Sequence, residues 1–319
     1  PMVLVQSIAE SALTYFAVYW VLVWLDMPAH VAGPLALVAL AASPAVLTRV
    51  VADTRAAGPV TERAIVLATL STLYALTLGS ARAEQINRQS VTLLDTMYPV
   101  VVVLGVSIIV AAVLSLALRM ALRFMSPTSE NTSMLLLALI AAATAVAAHM
   151  GGSAPLAALL GGMLLKQLNP RPWAWPRQLG NASSLLTMLM FVLVSTVAAQ
   201  ADWSGPVAGV VLTLIAVRLA AKAVGVGLGN VGSGASWRQA LWVGCAMTPM
   251  SSIALLIASQ FVVASPSTGH LIARVALPAI LLMEVLGAVI ATVAIYRAGE
   301  SSKPWAPLSR GGNGDRSES

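Results

Sequence analysis

Apolar and polar positions alternate along the chain on a long scale, with extended apolar runs separated by short polar loops. Ten runs approach the roughly 20 residues that a helix needs to cross about 30 Å of hydrocarbon. They lie at about 2–25, 32–50, 63–80, 97–122, 133–149, a short one at 154–166, 182–200, 207–228, 239–262 and 273–296. Loops such as Asp26-Met27-Pro28, Gly58-Pro59 and Ser126-Pro127 supply turn chemistry between them. The predicted fold class is an all-α integral membrane protein of about ten transmembrane helices over residues 1–297. The remaining tail, 298–319, is polar, with Ser301-Ser302, Gly311-Gly312 and Gly314, and is expected to be disordered and cytoplasmic.

Composition strengthens that reading. Of 319 residues, 58% are apolar and 9% charged, with a mean hydropathy of +0.86, whereas soluble domains carry about 25% charged residues. The net charge of +6 would suggest nucleic acid in a soluble protein. Here the basic residues lie between the runs, without interleaved aromatics, so no nucleic-acid partner is expected. If alternate loops share a side, Arg49, Arg55, Arg63, Arg119, Arg123, Lys166, Arg171, Arg177, Arg238, Arg297, Lys303, Arg310 and Arg316 face one side, which is 13 of the 18 basic residues. Arg82 and Arg88 face the other. By the positive-inside rule the first side is cytoplasmic, and so are both termini of this chain. The single cysteine, Cys245, excludes a disulfide framework, and His30, His149 and His270 are scattered, so neither an enzyme, a cofactor nor a resident metal is expected.

A few ionisable residues remain inside the spans: Glu10, His149, Arg218, Lys222 and Glu284, with Arg274 near a span end. A charge at mid-membrane costs a few kcal/mol or more, so such side chains should face protein or water. Arg218 and Arg274 read as snorkelling or helix-bracing residues. Lys222, Glu10 and Glu284 read as functional.

Two spans carry an internal proline in the same style, Ala42-Ser43-Pro44-Ala45-Val46 in the second and Met247-Thr248-Pro249-Met250-Ser251-Ser252 in the ninth. Proline frees backbone carbonyls, which is tolerated where side chains, water or an ion satisfy them. The broken span is the middle one of spans 1–3, which begin from the cytoplasm, and of spans 8–10, which begin from outside. That order predicts an inverted repeat whose two broken helices meet near the midplane, the sequence pointer to a transport site.

These residues also carry a family resemblance. Leu35 to Ser80, with Ser43-Pro44-Ala45-Val46 and a helix beginning near Glu62, resembles the paired core helices of the monovalent cation:proton antiporter superfamily, in its bacterial second branch of sodium/hydrogen exchanger type. Gly151-Gly152-Ser153-Ala154-Pro155 through Gly161-Gly162-Met163 is similar to that family's short small-residue span. Met190-Phe191-Val192-Leu193-Val194 with Asp202-Trp203 resembles its next helix. Arg218-Leu219-Ala220-Ala221-Lys222 through Gly229, followed by Trp237-Arg238-Gln239-Ala240 and Thr248-Pro249, is the closest match.

The resemblance implies a homodimeric inner-membrane antiporter of about thirteen helices. Residues 1–80 and 207–297 would form a mobile six-helix core, and 97–200 the connecting and dimerisation helices. About three N-terminal helices would then be absent, in keeping with a chain that opens at Pro1. The chain departs from the family at the site. Where members place two adjacent acidic or Asn-Asp residues, this chain has Ser71 and Thr72, which do not titrate near neutral pH. The family's Arg-Gly-Glu is replaced by Met250-Ser251-Ser252, and of the charged set only Lys222 stands in its place.

The reading is therefore exchange of Na⁺ or K⁺ for protons across a bilayer. Ser43, Pro44, Ser71, Thr72, Thr248, Pro249, Ser251 and Ser252 are expected to line the cation site, and Lys222, Glu10 or Glu284 to carry the proton. The alternatives are a uniporter or carrier of another solute on the same fold, and a non-transporting sensor or assembly partner.

Overall fold

The computed structural model describes residues 2–88, 93–126, 129–169, 177–199, 205–230, 236–250 and 252–302. Twelve helices occupy them: α1 (Met2–Trp24), α2 (Ala29–Leu40), α3 (Pro44–Thr54), α4 (Pro59–Arg88), α5 (Leu93–Phe124), α6 (Glu130–His149), α7 (Ala154–Leu168), α8 (Arg177–Ala199), α9 (Gly205–Leu228), α10 (Trp237–Ala246), α11 (Ser252–Ala264) and α12 (Pro266–Ala298). Two pairs, α2 with α3 and α10 with α11, are the halves of interrupted spans, so twelve helices make ten consecutive segments. Seven segments are long and apolar enough to cross a membrane: α1, α2 with α3, α4, α5, α6, α9 and α12. The protein is an all-α, multi-pass membrane protein.

Several helices outrun their hydropathy. The apolar stretch 63–80 predicts a shorter rod than α4, which carries Glu62 and Arg63 in its first turns and Arg82, Glu84, Gln85 and Arg88 at its end. Hydropathy registers only the part that needs lipid, whereas a helix continues into water as long as its backbone bonds and neighbours support it.

The polar segment after α12 differs from the expectation of a disordered tail beginning at 298. The Glu300 carboxylate accepts from the Val60 amide at 2.7 Å, the Thr61 amide at 2.8 Å and the Thr61 hydroxyl at 2.7 Å. It thereby caps the N-terminus of α4, where orphan amides and the helix dipole favour an anion. The Ser301 hydroxyl donates to the Thr54 carbonyl at the end of α3, at 3.0 Å. Residues 303–319 lie outside the described residues.

The helices fall into two packing groups. α1 lies against α9, α2 and α4; α10 lies against α9, α12 and α4; α11 lies against α12, α4 and α2. Separately, α5 packs on α7 and α6, and meets the first group through α4. Gly225 makes the α1–α9 approach possible, since a Cβ there would lie 2.6 Å from the Glu10 Cα. Gly287 does the same for α12 against the second break, where a Cβ would lie 2.5 Å from the Pro249 Cα. Two apolar clusters fill this group, one around Leu35, Leu76, Phe261 and Ile280 and one around Leu47, Leu67, Met247 and Ile295. The polar centre lies where the breaks interrupt the helices.

Candidate functional site

The first break spans residues 41–43. Its restart is encoded locally: Ser43 is the N-cap of α3, its hydroxyl accepting from the Val46 amide at 3.2 Å, and Pro44 occupies the first turn. Proline there removes an amide that would have no helical partner in any case. The second break runs from Met247, the C-cap of α10, through Thr248, Pro249 and Met250. Pro249 thus sits in non-helical chain between α10 and α11 and Pro44 in the first turn after its break, so both prolines lie at breaks, as the sequence predicts.

Each break frees backbone carbonyls inside the helix packing, where they need donors. Arg218, fully buried on α9, supplies donors to both. Its Nε donates to the Ala39 carbonyl at 2.8 Å, one terminal nitrogen to Ala41 at 2.8 Å, and the other to Thr248 at 2.6 Å. One guanidinium that reaches Ala41 and Thr248 places the two breaks side by side. The planar fork with five donors suits this geometry as a lysine could not. Arg218 therefore braces the crossing and does not snorkel.

One turn further along α9, Lys222 is also fully buried. Its Nζ lies 2.6 Å from Glu10 Oε1 on α1, 3.3 Å from the Leu40 carbonyl and 3.4 Å from Ser71 Oγ. Glu10 is buried too, and its carboxylate accepts from the hydroxyls of Ser11 at 3.1 Å and Thr14 at 3.3 Å. A buried charge without a partner costs far more than a paired one, and here the partner carboxylate comes from α1.

Ser71 and Thr72 lie in the same centre as donors. Ser71 donates to Leu40 at 2.7 Å; Thr72 donates to Ala42 at 2.9 Å and to Ala68 at 2.7 Å. Thr248 turns its hydroxyl to Cys245 at 2.8 Å and Gly287 at 3.4 Å. The structure thus brings together Ser43, Pro44, Ser71, Thr72, Thr248, Pro249, Lys222 and Glu10. Glu284, half-buried on α12, makes no hydrogen bond or ion pair with them among the described residues. Its neighbour Met283 faces Arg218, with its sulfur 3.6 Å from the guanidinium. Ser251, the Ser252 side chain and Asp202-Trp203 lie outside what the structure describes.

Two features of the centre are visible in the sequence. Arg218 precedes Lys222 by four residues, which places both on one face of α9. In α1, Gln6, Ser7, Glu10, Ser11 and Thr14 recur at intervals of three and four and are all buried. A polar stripe of this period in an otherwise apolar helix marks a face turned to protein. Among the described residues no three His, Cys, Asp or Glu side chains form a group that could hold a metal ion.

The fold has a counterpart among solved structures. The sodium proton antiporter MjNhaP1 from Methanocaldococcus jannaschii superposes with a TM-score of 0.64 at 14% identity, over 92% of this chain and 75% of that one. At that identity the likeness is one of fold. No curated protein matches the chain. The family description "sodium/hydrogen exchanger, transmembrane" matches residues 1–297, which is nearly the whole chain. On that match, this chain belongs to the transmembrane sodium/hydrogen exchanger family.

Proposed function

We propose that the protein exchanges a monovalent cation, Na⁺ or K⁺, for protons, with the Lys222–Glu10 pair as the exchange centre. The observation that carries this is the fully buried 2.6 Å ion pair beside the first break. A proton on the lysine and a metal cation compete for the same carboxylate. When a cation takes Glu10, keeping the ammonium there would add a charge to a buried centre that already holds Arg218. Loss of the lysine proton avoids that cost. Ser71 and Thr72 tune the site through Leu40 and Ala42 and carry no proton themselves.

The proposal extends to the assembly. Helices α1–α4 with α9–α12 act as the moving core, and α5–α8 as the panel through which two copies pair in an inner membrane, with both termini of the chain cytoplasmic. The charge asymmetry of the loops supports the orientation. Exposed apolar side chains on α5 and α6, among them Ile109, Val113, Leu116 and Met134, support a face turned to lipid or to a second copy.

A second reading has one observation in its favour. Arg218 and Lys222 outnumber Glu10 at the centre, and the N-terminus of α3 also points to it, an arrangement that suits a small anion. Proton-driven uptake of ²²Na⁺ or ⁸⁶Rb⁺ into everted vesicles, run beside ³⁶Cl⁻ uptake, separates the two. Cation uptake that collapses with the proton gradient supports exchange, and chloride uptake alone supports the anion carrier.

A further inference from the structure

Where α4 and α11 end and α7 begins, a cavity of about 340 Å³ lies between the two packing groups, at the opposite end of α4 from the Glu300 cap. Ser80, Glu84, Ser259 and Gln260 line it from α4 and α11, and Gly151 and Gly152 from the turn between α6 and α7. In the proposed orientation this is the outer end of the molecule.

Polar side chains close its inner end. The Ser80 hydroxyl meets the Ser153 hydroxyl and the Gln260 side-chain oxygen, each at 3.1 Å. Ser153 is held in turn by α5, because its amide donates to the Ser107 hydroxyl at 3.0 Å. The turn is also pressed onto that helix, since a Cβ on Gly152 would lie 2.8 Å from Val106. The Ser80–Ser153 bond therefore ties α4, in one packing group, to a turn fixed on the other. One turn deeper on each helix stands an apolar side chain: Leu76 on α4, Ile257 on α11 and Leu156 on α7, all fully buried in one cluster. Thr72, which donates to the Ala42 carbonyl at the first break, is one turn deeper again. Thr72, Leu76, Ser80 and Glu84 thus form a row at intervals of four, about 18 Å of helix from the break to the cavity. At the level of Leu76 this route offers an ion no oxygen ligand, so passage needs α4 and α11 to part from α7.

We propose that Ser80, Gln260 and Ser153 form the outer gate of the exchanger, a polar latch between the moving core and the panel, with Leu76, Ile257 and Leu156 as the seal beneath it. This rests on the exchange reading and names the groups that separate when the centre opens to the outer solution. Neutral hydroxyl and amide groups suit a contact that breaks in every cycle. At the edge of a water-accessible cavity each can trade its protein partner for water at small net cost.

The test uses the full chain with Cys245→Ala, which removes its single thiol. Leu76→Cys is added, and its labelling by a membrane-impermeant maleimide is timed in right-side-out and in everted membrane vesicles. The gate predicts slow labelling that is faster from the outer side. Adding Ser153→Ala or Gln260→Ala should speed it about fivefold, a population shift of about 1 kcal/mol, the size of one neutral hydrogen bond. Leu156→Cys, on the opposite wall, repeats the measurement should Leu76→Cys fail to reach the membrane. Equal rates from the two sides, or lowered thermal stability with labelling unmoved by both additions, would assign the cluster to packing alone and overturn the gate. A second arm joins Ser80→Cys with Ser153→Cys, positions whose hydroxyls lie 3.1 Å apart and so fall within reach of a disulfide. Oxidation should abolish ²²Na⁺ or ⁸⁶Rb⁺ flux and reduction should restore it. Full flux in cross-linked protein, or no cross-link at all, would overturn the gate. Gated labelling in a parent that carries no cation flux removes exchange and leaves the moving contact, and flux with ungated labelling removes the gate and leaves exchange.

Discussion

Lys222 and Glu10 show how far a buried centre depends on one ion pair between distant helices. The lysine on α9 takes its partner from α1, 212 residues away in sequence. Removing one member leaves the other buried and unpaired, at a cost of about 3–5 kcal/mol before it neutralises itself. Thermal unfolding in detergent should therefore show Lys222→Met and Glu10→Gln each clearly less stable than wild type. The double variant should be less destabilised than the sum of the two, because it buries no unpaired charge. Additive losses would mean that the pair is not coupled. Lys222 was readable from its depth in an apolar run and its resemblance, and Glu10 from being a carboxylate in a span. Their pairing was not readable, since nothing local links α1 to α9; Gly225, which admits the Glu10 backbone, becomes meaningful only once the helices are packed.

The broken helices were the most legible elements: Pro44 and Pro249, each preceded by a hydroxyl residue, fall at interruptions, whereas Pro34, Pro99 and Pro278 lie inside continuous helices. What closes them was not legible. The family resemblance drew attention to the titrating positions, while Arg218 read as a bracing or snorkelling residue, and three bonds from one side chain depend on both breaks arriving at the same place. Arg218→Lys should fail to replace it, since an ammonium cannot reach both breaks as the fork does. Each orphaned carbonyl costs about 1–3 kcal/mol, so this variant should show a large drop in unfolding temperature or fail to assemble in the membrane. Unchanged stability would show that the breaks are held by something else. At the N-terminus of α4, hydropathy had no means of finding the Glu300 cap, because an acidic residue in a polar segment looks like solvent-facing tail. Glu300→Ala should destabilise the fold by about 0.5–2 kcal/mol, the range for a lost N-cap, and should make the segment after α12 a readier target for limited proteolysis. An unaltered cleavage pattern would count against the clasp.

At the scale of the whole molecule, the spacing of apolar runs made the membrane class and the ten segments readable, because the bilayer imposes one length on every crossing. The division into a moving core and a pairing panel is a property of packing between helices, which hydropathy does not encode, and here it remains a proposal about how the exchanger works. At the centre of the exchange, a proton on the Lys222–Glu10 pair and a metal cation exclude one another. It is tested most directly in proteoliposomes carrying equal amounts of wild-type and Glu10→Gln protein, with a pH-reporting dye inside and a Na⁺ or K⁺ gradient imposed outside. Wild-type vesicles should move protons in response to the cation gradient, and Glu10→Gln vesicles should not. Proton movement at the wild-type rate in the Glu10→Gln vesicles would show that this pair does not carry the exchange.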